Sequence, residues 1–220
     1  MSRDLLRRFS ATKTALLGVS TETSFNFLQG LGFTVGRSRI RNGSHGSSDV
    51  DLKLFKQAVG AFPSGVTVIT VRTAKGEDHG MTASAFTSLS LEPPLILVCV
   101  QKKNTSYDLL RDAGAFAVNI LAANQEEQSN RFADRLCDRN GEWQVWPEDR
   151  DKFADLQFRR GLQSGGAALI DGSLAHLECR LHSLLPGGDH GIFIGQVETC
   201  HWSGREDPLL YVNGQYGRLA

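Results

Sequence analysis

Apolar and polar positions divide the chain beyond residue 48 into short segments, most of them with the period of strands. Asp51 stands where a helix N-cap belongs, and Leu52, Phe55, Val59 and Phe62 follow at near-helical spacing until Pro63-Ser64-Gly65 ends the pattern. VTVITV, residues 66–71, is apolar or Thr throughout, which predicts a strand covered on both faces. Pro93-Pro94 breaks the chain before Leu95 to Val100, read as another buried strand. Asn104-Thr105-Ser106 then caps a short helix ending near Gly114, and Phe116 to Leu121 forms a third strand. Gln125 to Leu136 reads as a helix, and the polar, turn-rich stretch 139–164 as an excursion from the main body. From Leu174 to Leu185 the alternation is regular: Ala175, Leu177, Cys179 and Leu181 point one way, His176, Glu178, Arg180 and His182 the other. That predicts a half-exposed strand, turned back by residues 186–189 onto Ile192 to Trp202.

Strands dominate and helices are short, so the expected fold is mainly β: a closed or nearly closed antiparallel β-barrel, because closure removes free edges. A Rossmann domain is disfavoured, since no G-x-G-x-x-G follows a strand.

At 220 residues, 40% hydrophobic, the chain fits one globular domain with an appendage. Net charge is zero, but residues 1–48 hold seven Lys/Arg against two Asp/Glu. We expect 1–48 to be a basic flexible extension ahead of a domain over 49–220; the Arg-, Ser- and Thr-rich head also has the composition of an organelle transit peptide. The body has no basic stripe with interleaved aromatics, which argues against nucleic acid. No run of 18 apolar residues exists to cross a membrane. Cys99, Cys137, Cys179 and Cys200 are widely spaced with no C-x-x-C pair, so no metal and no disulfide framework is expected, and a reducing cytoplasm is the natural setting.

The segment 80–100, GMTASAFTSLSLEPPLILVCV, adds chemistry to the pattern. Five of the nine residues Thr82 to Ser90 carry hydroxyls, and no charge occurs from Gly80 to Leu91. Small side chains let a flat, uncharged ligand approach the backbone and its N–H and C=O groups. A strand whose hydroxyls satisfy one another has the same composition.

In order along the chain stand FPSGVTVITV (62–71), the 80–100 segment, NTSYDLL (104–110), FAVNIL (116–121), RFA (131–133), GDHGIFIGQV (188–197) and PLLYVNGQYGRL (208–219). With these motifs the chain resembles the flavin reductase-like family, the reductase components of two-component flavin-dependent monooxygenases, built on the FMN-binding split barrel. The resemblance implies a homodimer that moves hydride from NADH or NADPH to FMN, or to FAD, and supplies a partner monooxygenase with reduced flavin. A flavin- or haem-binding split barrel without reductase turnover is the alternative.

By motif, Met81, Thr82, Ala83, Ser84, Ala85 and Phe86 would run along the flavin ring, with Ser88 reaching the ring or ribityl chain. Lys103, Asn104, Thr105 and Ser106 would meet the phosphate where a strand passes into a helix. The family's usual Arg near Lys103 is replaced here by Lys-Lys-Asn. Asp189 and His190 correspond to the nicotinamide-binding motif, with His190 as the catalytic candidate that orders the dinucleotide or supplies a proton. Tyr216 is a candidate ligand contact, Tyr211 a core residue. His79, His176, His182 and His201 default to structural roles.

Overall fold

A computed structural model describes residues 50–137, 142–147 and 149–219. The head, residues 1–48, and the expectations placed on it lie outside the described residues. Helix α1 (Leu52–Gly60) opens the described chain, with the Asp51 carboxylate accepting from the amides of Lys53 and Leu54. Then come β1 (Ser64–Gly65), β2 (Thr67–Arg72), β3 (Asp78–Ala83), β4 (Phe86–Leu91), β5 (Pro94–Gln101), α2 (Thr105–Ala113) and β6 (Ala115–Ile120). The second half carries α3 (Glu126–Phe132), β7 (Arg135–Cys137), β8 (Trp143–Val145), β9 (Phe158–Arg160), β10 (Ala168–Ile170), β11 (Ala175–Gly187), β12 (His190–Trp202), β13 (Leu210–Val212) and β14 (Gln215–Gly217).

Seven strands form one antiparallel sheet in the order β3-β2-β6-β11-β12-β5-β4. Its two edges, β3 and β4, are consecutive in the chain and joined only by Ser84-Ala85. The sheet therefore coils nearly shut and stays split along one seam. Inside pack Ile69, Val71, Val98, Val100, Phe116, Val118 and Phe193, all at most 2% exposed. Each such burial contributes about 1.5–3 kcal/mol, which makes this cluster the main cohesive element. Helix α2 packs on β2, β3, β5 and β6, capped by the Asn104 side chain at its start and by Gly114 (φ 66°) at its end, a left-handed turn that a Cβ would strain.

β2 is covered on both faces as expected, with Thr67 to Val71 all buried. The long hairpin β11–β12 also forms as expected, from Ala175↔Trp202 to Gly187↔His190.

Three expectations are corrected. In β5 only Ile96, Val98 and Val100 are buried; Leu95, Leu97 and Cys99 are half-buried, and Leu97 and Cys99 face a cavity rather than core. Helix α3 stops at Phe132, and Asp134 takes φ 59° before β7 begins, so the segment expected to be helical to Leu136 turns into a strand. Most informative is β11, where His176 and Glu178, expected on a solvent face, are 6% and 7% exposed.

The cause of that last burial is the stretch expected to wander off. That stretch ends in the hairpin β9–β10, whose second strand lies just beyond it, and the hairpin folds over the outer face of β2, β6 and β11 as a cover. Thr70 Oγ1 donates to Ala168 O (2.6 Å), Ile170 N donates to Asn119 Oδ1 (2.7 Å), and His176 Nε2 donates to Ile170 O (2.8 Å). Glu178 Oε2 accepts from Gln163 N (2.6 Å) and from Ser164 N and Oγ (3.0 Å each). A buried polar side chain must be paired, and here the pairing partners are the cover's own backbone.

Candidate functional site

The seam between β3 and β4 opens onto a cavity of about 450 Å³, inside the size range of small-molecule sites. Ser84, Ala85, Phe86 and Thr87 form one wall; Leu97 and Cys99 of β5, Val59 and Phe62 of the α1 end, and Tyr211 and Asn213 complete it. No lining side chain is charged. Ala85 O accepts from Cys99 N (3.0 Å) and Ser84 O from Phe86 N (2.9 Å). The Ser84 and Ala85 amides donate to no other described residue, which leaves two N–H groups at the wall. A polar ring edge needs donors of this kind.

A second cavity of about 160 Å³ shares Ser84 and Tyr211 with the first and adds Thr82, Ser129, Arg135 and Tyr216. Tyr211 and Tyr216 reach it because β13 and β14 pair in register, ring centroids 5.4 Å apart. The Tyr216 hydroxyl donates to Asn130 Oδ1 (2.9 Å) and accepts from Ser129 Oγ (2.8 Å), and burial pushes its pKa above the ordinary phenol value despite the Ser129 bond. Tyr216 is thus a fixed neutral phenol. Thr82 Oγ1 donates to Ser129 O (2.6 Å), tying β3 to α3. Gly80, at the start of the signature segment, lets Phe132 pack on the strand: a Cβ there would lie 2.6 Å from Phe132 Cε1.

At its other end β3 reaches the α2 N-terminus, about 17 Å from Ser84. There His79 Nε2 lies 2.7 Å from Ser106 Oγ, and Ser106 N donates to Asn104 Oδ1 (2.9 Å). Burial pushes His79 below its usual pKa, with the Lys152 charge adding to the effect and Asp134 opposing it. Its neutral ring is therefore favoured beside Ser106. The structural role that sequence assigns to His79 is compatible with its bond to Ser106.

The residues expected in the site divide. Ser84, Ala85 and Phe86 line the larger cavity, Thr82, Ser84 and Tyr216 the smaller. Met81 and Ala83 turn toward the barrel core instead, and Phe86 touches both core and cavity. Ser88 is exposed on β4 opposite Ile96, and Lys103 and Thr105 are exposed, outside both cavities. Asp189 and His190 are brought to the Ser106 end by the pairing His190↔Gln101, and Lys102 Nζ donates to Gly188 O (2.6 Å). His190 Nδ1 and Asp189 Oδ1 are 2.8 Å apart, and this bond, with the imidazole's charge and that of Lys102, holds the Asp189 carboxyl below its usual pKa. Asp189 and His190 line neither cavity. Tyr211, expected to be core, lines both cavities while also packing on the second apolar cluster.

Residues 59–220 match the family model described as the flavin reductase like domain. The chain belongs to the flavin reductase-like family. It is similar to an NADH-dependent FAD reductase of Streptomyces globisporus, 42% identical over 75% of this chain and 84% of the relative. It is also similar to the reductase component of 4-hydroxyphenylacetate 3-monooxygenase of Thermus thermophilus, 40% identical over 75% of this chain and 95% of the relative. Among solved structures, an NADH:FAD oxidoreductase of Streptomyces globisporus in complex with NAD and FAD fragments superposes with a TM-score of 0.67 at 40% identity, covering 79% of this chain and 98% of that one. This flavin reductase-like chain thus shares both sequence and split-barrel fold with reductases.

Proposed function

We propose that this chain is an NAD(P)H:flavin oxidoreductase that delivers reduced flavin to a partner monooxygenase. The observation that carries the reading is the uncharged seam cavity with two amides unpaired among the described residues, one strand's length from a capped helix N-terminus. An isoalloxazine ring suits the first and a flavin phosphate the second, with Asn104, Thr105, Ser106 and Lys103 at that end. A bound flavin would supply the hydride-accepting ring and a reduced nicotinamide the hydride. The protein's task is to hold the two rings: Ser84 and Ala85 offer amides, Phe86 and Tyr211 cover apolar ring surface, and Tyr216 with Thr82 fixes the adjoining subsite. His190, half-buried beside the exposed Asp189, is assigned to the dinucleotide. The two Streptomyces globisporus names speak of FAD; the barrel accepts either FMN or FAD on this reading, since both carry the same ring and first phosphate.

Anaerobic NADH added to the flavin-loaded protein should bleach the visible flavin absorbance far faster than NADH acting on free flavin. Equal rates would sink the reductase reading and leave a flavin- or haem-binding barrel without turnover. Repeating it with all four FMN, FAD, NADH and NADPH pairings assigns the cofactors.

We further infer a homodimer. Leu52, Phe55, Val59 and Phe62 of the α1 segment are exposed, Phe62 by 78%, and so are Leu89 and Leu91 of edge strand β4, Leu91 by 92%. Exposed apolar groups of that size, with Val59 and Phe62 lining the seam cavity, fit a subunit interface. Light scattering should give twice the chain mass; a monomer at micromolar concentration would contradict it. Among the described residues no helix is long and apolar enough to cross a membrane. The described free cysteines Cys99, Cys179 and Cys200 suit a reducing cytoplasm, and residues 49–220 are assigned as the catalytic domain.

A further inference from the structure

The β11–β12 hairpin has two ends, and only the one carrying Asp189-His190 is absorbed by the flavin reading. At the other, about 35 Å away along the strands, a cavity of about 330 Å³ is lined by Arg159, Asp171, Ser173, His176, His201 and Arg205, among others. Ser173 and His176 are 3% and 6% exposed, and each keeps a buried polar atom, Ser173 Oγ and His176 Nδ1, without a hydrogen-bond partner among the described residues. Such an unmatched atom costs about 1–3 kcal/mol, and both lie behind the cavity surface, closed off from the solvent that fills it.

The donors around them point one way. Arg205 is held in place, Nη1 donating to Gly172 O (3.2 Å) and Nη2 to Asp207 Oδ2 (2.8 Å), while Arg159 on β9 makes no ion pair among the described residues. His201 sits across the strand pair from His176, ring centroids 6.1 Å apart. His176 Nε2 donates to Ile170 O, so in the neutral ring Nδ1 carries a lone pair, and in the cation it becomes a donor. Asp171 is the one acid among the lining side chains.

We propose that this cavity binds a small phosphate- or carboxylate-bearing anion, held by Arg159, Arg205 and His201 over a floor of Ser173 and His176. Burial, and then the Arg159 and His201 charges, push His176 below its usual pKa, against the opposing effects of the Ile170 carbonyl and Asp171. A bound anion reverses that field, so the ring gains a proton on binding and affinity rises as pH falls through the imidazole range. The site lies on the cover rather than on the seam, so it stands whether or not the flavin reading does.

The test uses the full chain, with inorganic phosphate and acetate as separate probes against chloride at matched ionic strength. NMR should show the His176 ring resonances titrating with one or both probes at millimolar concentration, with at least threefold tighter binding at pH 6 than at pH 8. Saturation by phosphate alone assigns a phosphoryl ligand, and by acetate alone a carboxylate. Arg159→Ala, at an exposed position, should weaken binding about tenfold, and Ser173→Ala severalfold, with flavin affinity unchanged in both. Absence of any shift at His176, or wild-type anion affinity in Arg159→Ala, overturns the proposal.

Discussion

The two long sides of this barrel are finished in opposite ways. On the face of β2, β6 and β11, buried polar side chains reach outward and bind the backbone of a second layer. Along the seam of β3 and β4, small uncharged residues leave amides and apolar surface unclaimed. The covered side uses Asn119, Thr70 and Glu178 to remove polar groups from water; the seam keeps comparable groups available. The same strand chemistry therefore yields rigidity or a binding site according to whether the chain returns to cover it.

The largest test of that contrast is Asn119→Leu. Asn119 donates to Val68 O (3.0 Å) and Ala168 O (3.3 Å) and accepts from Ile170 N, so the change orphans several buried groups. Stability should fall by about 3 kcal/mol in urea unfolding, with flavin affinity of the folded fraction changed less than about twofold. Stability within 1 kcal/mol of wild type would deny the cover its role.

Ser84→Leu should do the reverse, weakening flavin binding at least tenfold, about 1.4 kcal/mol, while moving the thermal midpoint by no more than about 2 °C. An unchanged flavin Kd would displace the ring from the seam. A smaller effect is expected for His190→Ala: about fivefold in KM for NADH or in the reduction rate, with flavin affinity intact. Kinetics identical to wild type would remove His190 from the dinucleotide site.

The mildest test concerns the clip between cover and seam. Arg160 of β9 and Arg72 both pair with Asp78 at the start of β3. Burial raises the Asp78 pKa, but the Arg160 hydrogen bond and charge, followed by Arg72, outweigh it and hold the carboxyl below its ordinary value. The folded state thus favours the carboxylate, so the clip's contribution is complete above about pH 4 and is lost as pH falls through the folded value. Hydrogen exchange in 158–170 should accelerate below that point more than in β12. Uniform acceleration would show no selective clip.

Sequence disclosed the sheet strands well, because VTVITV, FAVNIL and the β11–β12 hairpin carry their periods in their own residues. It misjudged what covers them. His176 and Glu178 look like solvent-facing members of an alternating strand, and only the return of the preceding segment 158–170 over that face makes them interior. Cys99 and Leu97 failed the opposite way: apolar residues in an apolar run read as core, yet the split leaves them facing a cavity. The contact of His79 with Ser106 is not legible locally, because Ser106 comes from another element 27 positions away. Local pattern reports which residues a strand contains; pairing across the fold decides what each meets.

The seam has a mechanical consequence. β3 and β4 are neighbours in the chain but are separated around the sheet by five intervening strands. The gap between them is therefore a closure error of the whole circumference, and a small change of twist in any strand, including those under the cover, accumulates there as a change in slot width. A substitution on the far side of the barrel can retune how tightly a flat ligand is gripped without touching one residue of its seat.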